Sequence, residues 1–370
     1  MYPGGDLSNT VGISTAGAAA DPQRDAERDL RADSRADPRM VAALAPFGFD
    51  HAQEPPPVSA SSPHEDLLAY VAGVEEGFGA VFGALFAGLP PVGGVTQETA
   101  TILGPDDNEI SLLVHRPTAS NGSAAALPCV VHFHGGGGVI LSAHDASYVR
   151  WRDELAASGL VVVGVEFRNA GGRLGAHPYP AGLADCAAAT EWVVSHKAEL
   201  GVQNVVVSGE SGGGSLALAV ALKAKRDGWV DGLDGVYAMA PMIASPWNKP
   251  TDLPSQREND GYLISTRLLA IMGAVYDPLG AHADDPLCWP HRADTELRGL
   301  PPHVLSVNEL DPLRDEGLAY QRRLVANGVS AVGRTVSGTV HGGDVYFRAA
   351  MPDVYAATIR DIHGFASQPR

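Results

Sequence analysis

One serine stands among glycines in the stretch VSGESGGGSLALAV, residues 207–220, where a β-branched apolar run gives way to a helix-like one. Ser211 lies midway between Gly209 and Gly213. A nucleophilic serine needs a strand, a sharp turn and a helix, because the turn holds its hydroxyl clear of the sheet. Glycines fit on either side because larger side chains would collide there. The pattern predicts that Ser211 is a nucleophile.

Phosphate-binding loops and a plain glycine turn are the alternatives for the same stretch. A P-loop needs a lysine directly after its glycines, and here no lysine follows before Lys223. A dinucleotide-binding fingerprint needs an early βαβ unit with an acidic residue about 20 positions later, which is missing. Because G-x-S-x-G also arises by chance in a chain with 43 glycines, the prediction depends on the strand–turn–helix context.

A second glycine run, in VVHFHGGGGVIL, follows an earlier predicted strand, and its four glycines begin directly after His134. No side chains screen the amides of glycines, so these amides can converge on a developing negative charge. Removing one such donor costs about 3 kcal/mol of transition-state stabilisation. The run lies two strands before the serine, where an oxyanion loop belongs, and the amide of Gly212 is a further expected donor. A flexible turn is the alternative.

The acid and base that would support Ser211 are expected after it in the chain. The segment VLSVNELDPLRDEG offers Glu309, Asp311 and Asp315. Asp311 stands at the carboxyl end of a predicted strand, where α/β sheets place functional groups; a helix N-cap is its alternative role. Asp315 falls in the first helical turn, where a carboxylate suits the helix dipole. His341 follows the last predicted strand and completes the order serine, acid, histidine.

Strands alternating with helices position these residues. Seven apolar runs predict strands from about residue 100 onward: EISLLVHR, CVVHFH, LVVVGVEF, NVVVSG, GVYAMA, HVLSVN and VGRTVS. Helix-like segments lie between them, which predicts a mostly parallel central sheet with helices on both faces. The fold class is therefore α/β.

The remainder of the chain divides into an arm and a cap. Residues 1–36 are predicted as a partly disordered arm with a charged helical piece. Residues 37–95 hold two helix-like segments and a proline-rich joint, which predicts a helical cap. Residues 96–370 are the predicted catalytic domain, and a long stretch at about 245–280 predicts an insertion that joins the cap.

Composition excludes several classes of function. The 370 residues are 45% apolar and 19% charged, as in one or two globular domains. A net charge of −17 disfavours nucleic acid and anionic membranes as partners and favours a neutral or cationic substrate. Three cysteines without C-x-x-C and 13 histidines without H-E-x-x-H predict neither a disulfide framework nor a metal site. His303 and His363 are best explained as structural or surface residues.

The N-terminal sequence predicts no secretory signal, because a basic start followed by an apolar core is missing. No uninterrupted apolar run approaches the roughly 20 residues of a membrane span. We therefore expect a soluble, cytoplasmic protein without a membrane partner, and a homo-oligomer remains compatible with the sequence.

Together these motifs resemble the hormone-sensitive-lipase-like esterases of the α/β-hydrolase fold. That family is known by an HGGG motif and a G-[D/E]-S-[A/G]-G motif, matched here by HGGGG and GESGGG. The segment VEFRNAGGRLGAHPYPAGLADC also resembles the family's YRLAPEHPFPAALDD, and the match covers most of residues 100–365. Two departures lie near the acyl site: Gly138 replaces a frequent aromatic residue, and HGGD replaces His-Gly-Phe.

The resemblance implies an α/β-hydrolase fold with an N-terminal cap, Ser211 as nucleophile, His341 as general base and acid, and Asp311 as its orienter. It implies three backbone amides as oxyanion donors, those of Gly136, Gly137 and Gly212. Small, neutral, short-chain carboxylic esters are the implied substrates, with no cofactor and no metal. A lactone substrate, an amidase or acyltransferase reaction, and a ligand receptor without turnover are the alternatives.

Overall fold

The computed structural model describes residues 29–51, 53–118, 126–248, 250 and 252–368. Its strands are β1 (Val95–Leu103), β2 (Glu109–Pro117), β3 (Leu127–Phe133), β4 (Val161–Glu166), β5 (Val202–Glu210), β6 (Gly235–Met239), β7 (His303–Asn308) and β8 (Ala331–Val336). They form one sheet in the order β1-β2-β4-β3-β5-β6-β7-β8. The β1–β2 and β2–β4 pairs are antiparallel and the other neighbours are parallel, so the predicted mostly parallel sheet is confirmed.

Valine-rich central strands bury side chains on both faces of this sheet. In β5, Val205 and Val207 enter one hydrophobic core while Val206 enters the other. The same alternation separates Val130 from Val131 in β3. Because side chains alternate across a strand, a continuous apolar run fits only a strand that is covered on both faces.

Helices supply this cover. Among the described residues the α-helices are α1 (Pro38–Leu44), α2 (His64–Leu85), α3 (Ala146–Ala157), α4 (Ala181–Ser195), α5 (Lys197–Leu200), α6 (Gly212–Asp227), α7 (Ser255–Glu258), α8 (Thr266–Tyr276), α9 (Arg314–Ala326), α10 (Gly343–Tyr346) and α11 (Pro352–Ala366). Short 3₁₀ helices occupy Ala45–Phe47, Gly172–Leu174, Val230–Gly232, Pro278–Gly280, Pro290–Arg292 and Thr295–Leu297. Buried residues of α4, α6 and α9 share the core of Val205, and those of α1, α2, α3, α8 and α11 share the core of Val206.

Edge strand β1 is the element that the sequence prediction missed. All seven predicted strands are present, but β1 precedes them and reads VTQETATIL. Most of its side chains are exposed, so it lacks the apolar pattern of the central strands. The helix-like segment between predicted strands LVVVGVEF and NVVVSG forms two helices, because α4 ends at Ser195 and α5 begins at Lys197.

The predicted arm, cap and insertion contribute buried residues to the same hydrophobic core on one face of the sheet. Of the predicted arm, residues 1–28 lie outside the described part of the chain, so the charged helical piece predicted there is largely untested; residues 29–36 form turns in which Leu30 is buried. The predicted insertion holds α7 and α8, and α8 packs against α2. By length and composition alone, α2 is long enough and apolar enough to cross a membrane, although Glu75 and Glu76 interrupt its apolar residues. Here its Leu67 and Val71 are buried in the protein core.

Candidate active site

Ser211 sits on the sharp turn that joins β5 to α6. Its backbone has φ 56° and ψ −119°, a conformation that non-glycine residues rarely adopt. A Cβ on Gly213 would lie 2.1 Å from the carbonyl oxygen of Phe133, and one on Gly209 would lie 2.5 Å from the backbone of Gly213. The two glycines are therefore required by close backbone contacts, as the sequence predicted.

The glycine turn, residues 135–141, follows β3 and lies beside this serine because β3 pairs with β5. Val139 and Ile140 both donate their amides to the carbonyl of Gly136, at 2.9 and 3.1 Å. A Cβ on Gly212 would lie 2.5 Å from the amide nitrogen of Gly137, so the turn contacts the first residue of α6. Within the described ranges, the amides of Gly136, Gly137 and Gly212 donate to no protein acceptor. They are free to bind a negatively charged oxygen near the positive end of α6.

Asp311 and His341 form a buried pair in the loops that follow β7 and β8. Asp311 Oδ2 and His341 Nδ1 are 2.8 Å apart, and the two residues are 0% and 7% exposed. The other carboxylate oxygen of Asp311 accepts the amide of Leu313 at 2.8 Å. Asp311 therefore stabilises a short turn before α9 and also holds one tautomer of the imidazole. The residue that caps α9 is Leu313, which makes no side-chain cap bond, so the helix N-cap alternative for Asp311 is wrong.

The competing carboxylates have other partners. Glu309 accepts the amide of Gly338 at 2.8 Å, and Asp315 pairs with Arg314 at 2.9 Å. His303 has its Nδ1 2.6 Å from the carbonyl oxygen of Pro301, at the start of β7. In the described part of the chain, Asp311 is thus the carboxylate that pairs with His341.

Ser211 and His341 line the same cavity, which has a volume of about 60 Å³. No hydrogen bond joins their side chains in the described structure; such bonds often tighten only when a substrate binds. The remaining walls are mostly apolar and come partly from α2 and α8, through Phe78, Phe82, Leu268, Leu269 and Met272. Ser211, His341 and an apolar cavity are therefore in one place.

Two aromatic residues of the predicted insertion, Trp247 and Tyr262, are not among the residues that line the cavity. Trp247 donates its ring N–H to the carbonyl of Asp277 at 3.2 Å, and the Tyr262 hydroxyl donates to Asp33 at 3.1 Å. The insertion instead contributes aliphatic and methionine side chains from α8. The choice among apolar residues of an insertion depends on how it folds back over the sheet, which periodicity does not reveal.

Known proteins share this architecture. A family model described as the alpha/beta hydrolase fold matches residues 130–344. A solved structure of brefeldin A esterase, described as a bacterial homologue of human hormone-sensitive lipase, is 48% identical; the match covers 93% of this chain and 96% of that one, with a TM-score of 0.89. This chain belongs to the hormone-sensitive-lipase-like family of α/β-hydrolases.

Further members of the hormone-sensitive-lipase-like family with similar sequences or structures are also esterases. The structure of esterase Est22 is 36% identical over 92% of this chain and all of that one (100%), with a TM-score of 0.81. Carboxylesterase NlhH of Mycobacterium tuberculosis is 34% identical over 248 residues, 64% of this chain and 72% of that protein. Esterase LipI of the same organism is 32% identical over 244 residues, again 64% and 72%. These relatives support ester hydrolysis as the reaction of this chain.

Gly138, one of the two positions where this chain departs from the family's pattern, lies beside an aromatic ring. A Cβ on Gly138 would lie 3.0 Å from the ring of Tyr276, the last residue of α8. Burial raises the pKa of Tyr276 well above its ordinary value, so its hydroxyl is neutral. Tyr276 therefore supplies an aromatic ring beside Gly138.

Glu210 and two tyrosines support the glycine turn and were missed by the sequence analysis. Glu210 is buried and accepts the amide of Gly135 at 2.7 Å and lies 3.1 Å from His132 Nε2. The hydroxyl of Tyr148 also accepts the Gly135 amide, at 3.1 Å, and lies 2.8 Å from the hydroxyl of Tyr346. Burial raises the pKa values of both tyrosines. Glu210 is visible in the sequence as the acid next to Ser211, but the sequence does not indicate that it binds the amide of Gly135, 75 residues earlier.

The histidine of the HGGGG motif has a structural role. His134 stacks on Phe167 with ring centroids 4.2 Å apart, and its Nδ1 lies 2.8 Å from the carbonyl oxygen of Gly135. Burial lowers the pKa of His134 to about 3, so the ring is neutral at physiological pH. It packs beneath the glycine turn and is not among the residues that line the cavity.

The described residues contain no reactive thiol and no cluster of metal-binding side chains. Cys129, Cys186 and Cys288 are free and buried. Burial raises the pKa of Cys129 to about 12 and those of the other two further above the ordinary range, so none is a thiolate nucleophile. No group of three or more metal-binding side chains comes together in the part of the chain that the structure describes.

Proposed function

We propose that this chain is a serine carboxylesterase that hydrolyses small, neutral, short-chain esters through an acyl-enzyme on Ser211. The observation that carries the proposal is the buried Asp311–His341 pair, with 2.8 Å between its atoms, at the cavity that Ser211 lines. Esterase relatives support the reaction class.

In the proposed mechanism, Ser211 Oγ attacks the ester carbonyl while His341 Nε2 takes the hydroxyl proton. The tetrahedral intermediate collapses when the carbon–oxygen bond to the alcohol breaks, and His341 returns the proton to the leaving alcohol. Water then attacks the acyl-serine with His341 again as base, which releases the acid and restores Ser211. Asp311 keeps a proton on Nδ1 so that Nε2 can accept one, and it stabilises the imidazolium.

The negative oxygen of the intermediate would be held by the amides of Gly136, Gly137 and Gly212. Such preorganised donors are often the largest single contribution to catalysis, because they need no reorganisation as the charge develops. The start of α6 adds the partial positive charge of its first turn.

Gly136→Ala is expected to lower kcat by about 10²–10³-fold, as when one oxyanion donor is lost, with little change in KM. Gly136 has φ +94°, and an added Cβ would lie 2.2 Å from the carbonyl oxygen of Ile140, so the glycine turn must shift. Steady-state kinetics with p-nitrophenyl butyrate measure both constants. Gly77→Ala is the matched control, because Gly77 lies on α2 with open space around its Cα. Equal kcat in the two variants would remove Gly136 from the proposed oxyanion hole.

The cavity supports a small, uncharged substrate. Its lining is mostly apolar, and His341 is its one ionisable group besides the Tyr346 hydroxyl among the described lining residues. Burying a charged acyl chain against such walls would be costly. The similarity to brefeldin A esterase supports a lactone as a second kind of ester substrate.

Matched p-nitrophenyl esters and p-nitroanilides separate the esterase from its alternatives. We expect the acetate and butyrate esters to be hydrolysed much faster than the corresponding anilides, with rates that decline for longer acyl chains. A preference for anilides would point to an amidase, and transfer to an added alcohol in place of water would point to an acyltransferase. Tight binding of the esters without product would indicate a receptor. Hydrolysis of macrocyclic lactones is measured in the same series.

A further inference from the structure

A carboxylate of the cap helix reaches the far end of the glycine turn. Glu75 lies on α2 and is only 5% exposed. Its Oε1 accepts the amide of Leu141 at 2.8 Å, and its Oε2 accepts the amide of Arg173 at 2.8 Å. A Cβ on Gly172 would lie 2.5 Å from Oε2, so the backbone is closely fitted around this carboxylate.

Leu141 needs such support because of its backbone. Its φ of 74° is a left-handed conformation that branched residues rarely adopt. Glu75 holds its amide, and Asn169 holds its carbonyl through a 2.7 Å hydrogen bond from Nδ2. Both backbone groups of this strained residue are therefore fixed by side chains from other segments.

The second hydrogen bond of Glu75, from the amide of Arg173, supports the same turn through the segment of chain that precedes Arg173. The amides of Ala170 and Gly171 donate to the carbonyls of Gly138 and Val139, each at 2.9 Å. Arg173, whose amide Glu75 accepts, follows directly in the chain. The Glu75 carboxylate thus binds the end of the glycine turn at Leu141. It also binds the segment 170–173, whose first two amides donate to the middle of the turn.

We propose that Glu75 is a positioning residue through which the cap helix α2 holds the glycine turn in its catalytic shape. This inference rests on the proposed function and adds to it that the oxyanion hole is complete only when the cap helix is docked. Leu141 ends the glycine turn, and its neighbour Ile140 donates its amide to the carbonyl of Gly136, so release of Leu141 lets the amides of Gly136 and Gly137 move.

Glu75→Gln tests this inference with almost no change in side-chain volume. A glutamine has one carbonyl oxygen and an NH₂ group that cannot accept a hydrogen bond, so one of the two amides loses its partner. We expect kcat for p-nitrophenyl butyrate to fall about tenfold or more, as for other small misplacements of catalytic groups, while KM stays nearly constant. Binding of a trifluoromethyl ketone, which forms an oxyanion on Ser211, should weaken by a similar factor.

Glu76→Gln is the matched control, because it removes the same charge from the next residue of α2, which is exposed; its kcat and ketone affinity should equal those of the wild type. Glu75→Asp keeps the charge but is one methylene shorter, and it should lose kcat and ketone affinity together. Thermal unfolding of every variant separates instability from misplacement.

Wild-type kcat and ketone affinity in folded Glu75→Gln or Glu75→Asp protein would overturn the inference, even with a lowered Tm, because Glu75 would then only anchor the helix. A rise in KM alone would overturn it as well. An inactive wild type would instead refute the proposed function, so the two failures are distinguishable.

Discussion

Ser211→Ala is expected to lower kcat for p-nitrophenyl butyrate by about 10⁵–10⁶-fold, to the residual rate that binding and the oxyanion hole alone provide. At about 1.4 kcal/mol for each factor of ten, this loss is roughly 7–8 kcal/mol of barrier. The expected effect is this large because Ser211 forms the covalent intermediate in the proposed mechanism, and the three cysteines, which are buried and carry raised pKa values, do not replace it.

The matched control for that loss is Ser215→Ala, one turn further along α6. The Ser215 hydroxyl donates to the carbonyl of Met242 and lies 3.4 Å from the carbonyl oxygen of Ser211, so its removal changes contacts with the backbone of this turn but leaves the Ser211 hydroxyl in place. We expect its kcat to remain within a few-fold of the wild type. Comparable losses in both variants would mean that removal of a hydroxyl damages the turn between β5 and α6, and would contradict the assignment of Ser211 as the nucleophile.

Asp311→Asn is expected to lower kcat by about 10⁴-fold with the fold intact. The substituted side chain can still accept the amide of Leu313 through its oxygen, and circular dichroism and Tm should therefore change little. Its NH₂ group would face His341 Nδ1, however, and would favour the tautomer that carries a proton on Nε2. That nitrogen could then no longer take the proton from Ser211.

Glu309→Gln and Asp315→Asn are the controls, because both remove a neighbouring negative charge. Glu309 binds the amide of Gly338 and Asp315 pairs with Arg314, so we expect losses in stability with kcat near that of the wild type. If one of these variants loses about 10⁴-fold in kcat while Asp311→Asn does not, the orienting role belongs to that residue.

The central sheet and the serine turn were predictable because their causes are local. Val205 to Val207 are apolar in succession, and such a run fits a strand covered on both faces. The crowding that excludes side chains at Gly209 and Gly213 arises within a few residues of Ser211. Short-range geometry of this kind is visible in the sequence.

The supports of the site were not predictable, because each depends on a contact between distant segments. Glu75 appeared as one acid in an amphipathic helix, and its partner Leu141 lies 66 residues away. Tyr346 meets Tyr148 across 198 residues, and neither residue type distinguishes a support from ordinary core. The prediction missed strand β1 for a different reason. This strand lies at an exposed edge of the sheet, so its sequence is polar and lacks the apolar pattern of a buried strand.

The choice among carboxylates lies between these cases. Chain order and strand position favoured Asp311 over Glu309 and Asp315, and the 2.8 Å distance to His341 agrees with that preference. The helix N-cap alternative was wrong, because Leu313 is the residue that precedes α9 and Asp311 instead binds the amide of Leu313 within the turn before the helix. Position in the chain therefore predicted the residue, while its two simultaneous contacts required the folded structure.

Trapping the acyl-enzyme tests the central claim most directly. Purified full-length protein is mixed with p-nitrophenyl acetate, quenched in acid within the first turnovers, digested and examined by mass spectrometry beside Ser211→Ala. We predict an acetyl group on the peptide that contains Ser211, together with a rapid release of p-nitrophenol, and neither in the variant. Hydrolysis by the wild type with no acylated peptide, or with the acetyl group on another residue, would contradict the account.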